Sequence, residues 1–213
     1  MLRLHIRTCL VTLILLLLVP LVVGGHNWLT IVQHVDSSLA RVSHPMPEHG
    51  EGSRSTCTGF SINEEQGYFI TAYHCLNNGT VVGLKVDNES ARLLWASLDL
   101  DATVLATQLH RPSLRPRTQA KKGQLIGVLG FGYGLADTIF KSGFIAHPSI
   151  PFGVPTQPEN WLMVDSPFIA GMSGAPIFNE SGDVIALVQQ TDGVMGWGHP
   201  IDDIYKATRI YWQ

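Results

Sequence analysis

The 213-residue sequence predicts an all-β protein built as two lobes. Three observations carry this. Twenty-one glycines and twelve prolines demand many turns. Short β-rich runs recur in two sets, with Gly, Asn or Asp between several of them, as in barrels. A polar, proline-bearing and basic segment, residues 110–123, separates the sets as a crossover would. With 45% apolar and 15% charged residues, the chain is long enough to bury a sizeable core.

Taken in order, residues 1–25 read as targeting and residues 26–213 as the domain, with lobes at about 26–110 and 124–213. Arg3 and Arg7 precede an apolar run from Cys9 to Val23, interrupted by Pro20, and Gly24-Gly25 supplies small residues for cleavage. A secretory signal peptide is the first reading. An uncleaved membrane anchor is the second, because residues 9–25 approach the roughly 17 to 25 residues that span a bilayer. Positive charge on the N-terminal side places the remainder outside the cytoplasm in either case. Trp28 to Val32 is strand-like, and Val42 to Ser55 reads as a surface loop. The first set of strands is then 58–62, 68–72, 80–86, 92–97 and 102–108, and the second is 124–130, 138–146, 161–164, 175–178 and 184–189. Residues 201–209 carry apolar positions at helical spacing and predict a short helix on the second lobe.

Gly171-Met172-Ser173-Gly174-Ala175-Pro176 has the pattern of a nucleophile on a tight turn. Glycine on both sides admits unusual backbone angles and close approach to a substrate carbonyl. A serine hydroxyl is weakly nucleophilic until a base takes its proton, which sends the search to the histidines. Of nine, His74 stands out, in Ile70-Thr71-Ala72-Tyr73-His74-Cys75. The two motifs, in this order, resemble those of the trypsin-like (chymotrypsin-fold) serine proteases, over roughly residues 55 to 205.

That resemblance implies two six-stranded-type antiparallel β-barrels, a serine endopeptidase working through an acyl-enzyme, and a Ser-His-Asp triad of His74, an aspartate and Ser173. Leu98-Asp99-Leu100-Asp101-Ala102-Thr103-Val104-Leu105 is similar to the family's aspartate segment and favours Asp101. Asp99 stays open, since residues two apart share a strand face. The backbone N–H groups of Gly171 and Ser173 form the expected oxyanion hole. The resemblance also implies a disulfide between Cys57 and Cys75, and hence an oxidising compartment; Cys9 lies in the apolar run. Where digestive trypsins carry a pocket aspartate, this chain has Pro167, followed by Phe168, so an uncharged small or medium apolar P1 side chain is expected. Leu187 to Gln190 and Gly196-Trp197-Gly198, with Leu187, Gln190 and Trp197 foremost, are the candidate remaining walls. Val22-Val23-Gly24-Gly25 looks like a zymogen terminus, but Met172 occupies the place of the carboxylate that would pair with a freed amine, so that activation is rejected. Residues 124–132, 141–145 and 196–201 are closer to the bacterial HtrA/Deg type, and no PDZ domain follows in this sequence.

A net charge of −3 gives no reason to expect nucleic acid. The basic connector (Arg111, Arg115, Arg117, Lys121, Lys122) reads as a solvated linker, with an acidic or lipid surface as the lesser alternative. His44, Glu48, His49 and Glu51 fit no metal-ligand spacing, and neither metal nor cofactor is expected. The expected partner is a protein or peptide substrate, with membrane attachment possible through residues 9–25 and the oligomeric state open. Asn78, Asn88 and Asn179 head formal glycosylation motifs. Two other function classes remain: a non-catalytic binding module on the same fold, and an esterase.

Overall fold

The computed structural model describes residues 27–76, 79–117, 119–150 and 160–213. The targeting reading of residues 1–25 and the motif at Asn78 lie outside these. Contacts divide the chain into Met1–Thr30 and Ile31–Gln213, and both sheets lie in the second unit.

The chain enters through helix α1 (Trp28–Ser38), where the sequence had pointed to a strand at Trp28 to Val32. Its Thr30, Ile31 and Val32 are β-branched, which explains the expectation. The helical period wins because Val35 and Ser38 are buried while polar Gln33, Asp36 and Ser37 stay in solvent. Strand β1 (Leu39–Pro45) follows and pairs antiparallel with β2 (Arg54–Asn63), register Val42↔Cys57 and Ala40↔Gly59. The surface loop expected over residues 42–55 is therefore shorter: both ends are strand, and the connection closes through Met46 N–H to the Ser53 carbonyl, 2.8 Å. Next come β3 (Tyr68–Thr71), β4 (Lys85–Val86), β5 (Glu89–Ser90), β6 (Arg92–Ser97) and β7 (Ala102–Ala106). These strands form one sheet, in the order β5-β4-β1-β2-β3-β7-β6. This first lobe is a half-barrel: its end strands β5 and β6 are not hydrogen-bonded to one another. It closes on Val42, Phe69, Leu84, Val86 and Leu105.

The second lobe comprises β8 (Leu125–Gly130), β9 (Ile139–Ile150), β10 (Trp161–Val164), β11 (Pro176–Phe178), β12 (Val184–Thr191) and β13 (Gly196–Pro200). Its six strands close as a barrel, β10-β13-β12-β11-β8-β9. The barrel is filled by Ile126, Val128, Leu162, Val164, Ile177, Ala186 and Val188, with Met172 and Ala175 in the same cluster. Helix α2 (Ile201–Thr208) buries Ile201, Ile204 and Thr208 and packs on β12 and β13. The all-β, two-lobed architecture with a short C-terminal helix is the expected one.

The basic connector is laced to both lobes. Leu114 N–H donates to the Ser61 carbonyl (3.0 Å) and Arg117 N–H to that of Val184 (2.6 Å). Arg111 pairs with Asp87 at 2.5 Å and Arg115 with Asp183 at 3.4 Å. Two of its cations are thus engaged at the lobe surfaces.

Candidate active site

His74 is carried on a single 3-10 turn, Tyr73–Cys75, straight after β3. That turn is fixed from three sides. Cys75 is joined to Cys57 on β2, with Cα atoms 6.1 Å apart. The Cys75 carbonyl lies 2.9 Å from His44 Nδ1, and Leu76 N–H donates to the Tyr73 carbonyl, 2.9 Å. Strand β3 pairs with β7, Thr71↔Thr103, so the segment entering β7 arrives beside the turn.

Asp101 ends the turn of residues 98–101, its N–H donating to the Leu98 carbonyl at 3.1 Å. One carboxylate oxygen accepts His74 N–H at 2.9 Å and the other lies 2.7 Å from His74 Nδ1. A carboxylate oxygen can only accept, so Nδ1 carries the proton in the neutral ring, leaving Nε2 as a lone pair. Asp99, the competing candidate, is exposed.

Ser173 lies on the turn between β10 and β11, which the second lobe presents to the first. Gly171 (φ 96°) and Gly174 (φ 79°) both take left-handed backbone. A Cβ on Gly174 would stand 2.3 Å from Thr71 Oγ1 and 2.7 Å from Ala72 N, so the turn lies against the strand end that carries His74. Thr58 on β2 clamps it: its N–H donates to the Ser173 carbonyl (2.9 Å) and its hydroxyl to the Gly171 carbonyl (2.9 Å), while that hydroxyl accepts Phe131 N–H (2.9 Å). Met172 is fully buried and anchors the turn in the barrel core. The N–H groups of Gly171 and Ser173 have no acceptor among the described residues. The serine hydroxyl lies 3.5 Å from the Gln189 carbonyl, and no hydrogen bond joins it to His74 among the described residues.

Gln189 falls in the 187–190 stretch expected from sequence as a pocket wall, but its tie to the aspartate was not foreseen. It is buried on β12, and its Nε2 donates to the Asp101 carbonyl at 3.0 Å, spanning the lobes. Thr58 escaped notice, because a threonine inside a strand motif looks like ordinary β propensity. A third residue, His199 on β13, is 1% exposed. Burial pushes its pKa below 6.5, while the charges of Asp203 and Asp101 pull it upward.

The expected pocket residues fare unevenly. Phe168 is nearly enclosed and its ring abuts Gly196, where a Cβ would meet it at 2.6 Å. Leu187 is fully enclosed and offers no surface to a substrate. Pro167 is half-buried and its carbonyl accepts from the Lys141 amine. Gln190 is exposed opposite half-buried Trp197, which meets Trp161 edge-on at 6.4 Å. Asn179 is spent on its own turn, accepting Ser181 N–H at 2.9 Å and Asp183 N–H at 3.0 Å. No metal-binding cluster exists among the described residues.

Residues 57–187 match the family described as "Trypsin-like peptidase domain", well over half of the chain. The chain belongs to the trypsin-like peptidase family. Within that family its similarity runs to the HtrA type. It is 30% identical to a probable periplasmic serine endoprotease, DegP-like, of Halomonas elongata, over 84% of this chain and 40% of that protein. A protein of the same name from Brucella suis is 25% identical over 71% of this chain and 30% of its own length. The chain therefore spans well under half the length of these curated relatives. Among solved trypsin-like peptidase folds, the Rv3671c protease of M. tuberculosis in its active form superposes with TM-score 0.70 at 18% identity, covering 84% of this chain and 82% of that one. Deg5 superposes at TM-score 0.67 and 16% identity, covering 84% and 90%. These two establish the double-barrel fold.

Proposed function

We propose that this peptidase domain, residues 26–213, is an exported serine endopeptidase in which Asp101, His74 and Ser173 act in sequence on a peptide carbonyl. The observation that carries the reading is the Asp101 carboxylate set on both the main-chain N–H and Nδ1 of His74, at 2.9 and 2.7 Å, beside the Ser173 turn. In this reading Nε2 takes the hydroxyl proton as Ser173 Oγ bonds to the carbonyl carbon. The free N–H groups of Gly171 and Ser173 receive the oxygen as it becomes negative, each worth about 3 kcal/mol. The imidazolium then returns its proton to the leaving amine, and water repeats the sequence on the acyl-enzyme. In this reading the Ser173 hydroxyl, 3.5 Å from the Gln189 carbonyl, turns to the base by side-chain rotation.

With no acidic side chain at Pro167 and with Phe168 and Trp197 nearby in the fold, the P1 side chain is uncharged and small or medium-sized. The Cys57–Cys75 bond fits an oxidising compartment, as do relatives named periplasmic. Among the described residues no helix is long and apolar enough to cross a membrane, and attachment through residues 9–25 would lie outside them.

The hydroxyl's position away from His74 favours one rival, a binding module that retains the fold without turnover. Labelling with a fluorophosphonate separates them. Wild type is expected to label at Ser173 and Ser173→Ala to stay unlabelled, with a peptide library cut after uncharged P1 residues. A folded, oxidised wild type that neither labels nor cleaves would hand the case to the binding module; turnover of a short-chain ester with no peptide cleavage would make it an esterase.

A further inference from the structure

Behind Asp101 lies a buried polar pair that the reaction as described does not use. Gln189 is 4% exposed and His199 1% exposed. Gln189 Oε1 and both ring nitrogens of His199 have no hydrogen-bond partner among the described residues. Polar groups this deep are almost always satisfied, because leaving one unpaired forfeits its hydration.

The strands place the two residues together. β12 and β13 pair as Leu187↔His199 and Val188↔Gly198, and a bulge at Gln189 precedes Gln190↔Trp197. Leu187 stands opposite His199 and Gln189 follows two residues on, at the bulge, and the Gln189 and His199 side chains both border Asp101, which accepts from Gln189 Nε2 and whose charge acts on the His199 ring. Helix α2 packs on both strands. Asp203 of α2 and Asp101 are the charges acting on the His199 ring. Their chemistry is complementary. A neutral imidazole offers one N–H and one lone pair, and the amide oxygen needs one donor.

We infer that His199 is a positioning residue for the catalytic aspartate: its ring N–H is given to Gln189 Oε1, directly or through one internal water, so that Gln189 Nε2 faces the Asp101 carbonyl. The two ends of a glutamine amide are nearly isosteric. Without a donor behind Oε1, the amide is held by the Asp101 carbonyl alone, and the unpaired oxygen favours rotamers that swing the side chain away from that carbonyl. The turn that holds both carboxylate bonds to His74 then loses its tie to the second lobe.

The inference rests on the proposed catalytic reading, and its test keeps the two apart. Wild type, His199→Phe, His199→Gln, Gln189→Leu and the double variant His199→Phe/Gln189→Leu are compared on one peptide substrate. Expected is a fall in kcat of about tenfold for His199→Phe with KM within about twofold, since substrate contacts are untouched. His199→Gln, which keeps an N–H, recovers most of it, and the double variant is no slower than Gln189→Leu alone. An unchanged kcat in folded His199→Phe, or losses that multiply in the double variant, overturns the inference. A second measurement does not depend on turnover: NMR of ring N–H groups in Ser173→Ala protein. One His199 proton slow to exchange, whose resonance moves in Gln189→Leu, is expected; a resonance that stays put refutes the pairing, even if His199→Phe fails to fold. Should wild type show no turnover at all, the catalytic reading falls and the NMR comparison still decides the pair.

Discussion

Asp101 holds a left-handed backbone, φ 41°, which aspartate tolerates better than most residues. The conformation aims both carboxylate oxygens at His74, and the consequence of changing one of them is specific. In Asp101→Asn the amide oxygen is expected to keep the main-chain N–H of His74, which turns the NH2 group toward Nδ1. That ring nitrogen must then accept, the proton moves to Nε2, and the base can no longer take a proton from Ser173. We expect kcat to fall by about 10⁴-fold with the fold intact. Asp99→Asn, an exposed neighbour, should stay within about twofold. Steady-state kinetics on one peptide checks both, and equal losses would remove Asp101 from its assigned role. From sequence the resemblance favoured Asp101, and alternation alone left Asp99 open because it treats the two as one strand face. In the structure they lie on the 98–101 turn, where that alternation does not apply.

At the scale of elements, the His74 turn depends on its neighbours rather than on itself. A single 3-10 turn has little stability of its own. It is pinned by the Cys57–Cys75 link across 18 residues and by the His44 contact to the Cys75 carbonyl. Removing the link in Cys57→Ala/Cys75→Ala should lower stability by about 3 kcal/mol on the chain-entropy estimate, read as a shift in the urea midpoint. On the proposed reading it should also lower kcat more than it alters KM, because the turn that carries His74 loosens while the strands of the second lobe remain. An unmoved midpoint would mean that packing alone holds the turn. What sequence revealed at this scale follows from packing. Strands β6 and β10 were found at their true bounds, because turn residues flank them. Strand β13 was missed because Gly196-Trp-Gly-His-Pro200 has two glycines, and its pairing is imposed by β10 and β12. The 80–86 run shrank to Lys85–Val86, its other residues being spent on a turn in which Leu84 N–H bonds the Val81 carbonyl.

For the whole molecule, the seam between lobes joins the two halves of the candidate site through Thr58, Gln189 and the Gly174 contact; the motif marks Gly174, but no sequence pattern announces what these residues meet across the seam. Its buried imidazole gives the protein a pH signature. His199 has a folded pKa below 6.5, with burial outweighing the pull of Asp203 and Asp101. As pH falls through 6.5, the unfolded chain takes up a proton that the folded protein refuses. Stability should therefore decline on acidification from that point and level off below the folded pKa of His199. Asp192, held low by the N–H groups of Met195 and Val194, acts in a separate window below 3.8, where its stabilisation is lost as it protonates. Urea midpoints of Ser173→Ala protein at several pH values, compared with Ser173→Ala/His199→Phe, isolate the histidine, because other ionisable groups are shared. The double variant is expected to show a flatter slope between pH 7.5 and 5, whatever its absolute stability; parallel slopes would mean that the ring is already charged, or solvated, in the folded state.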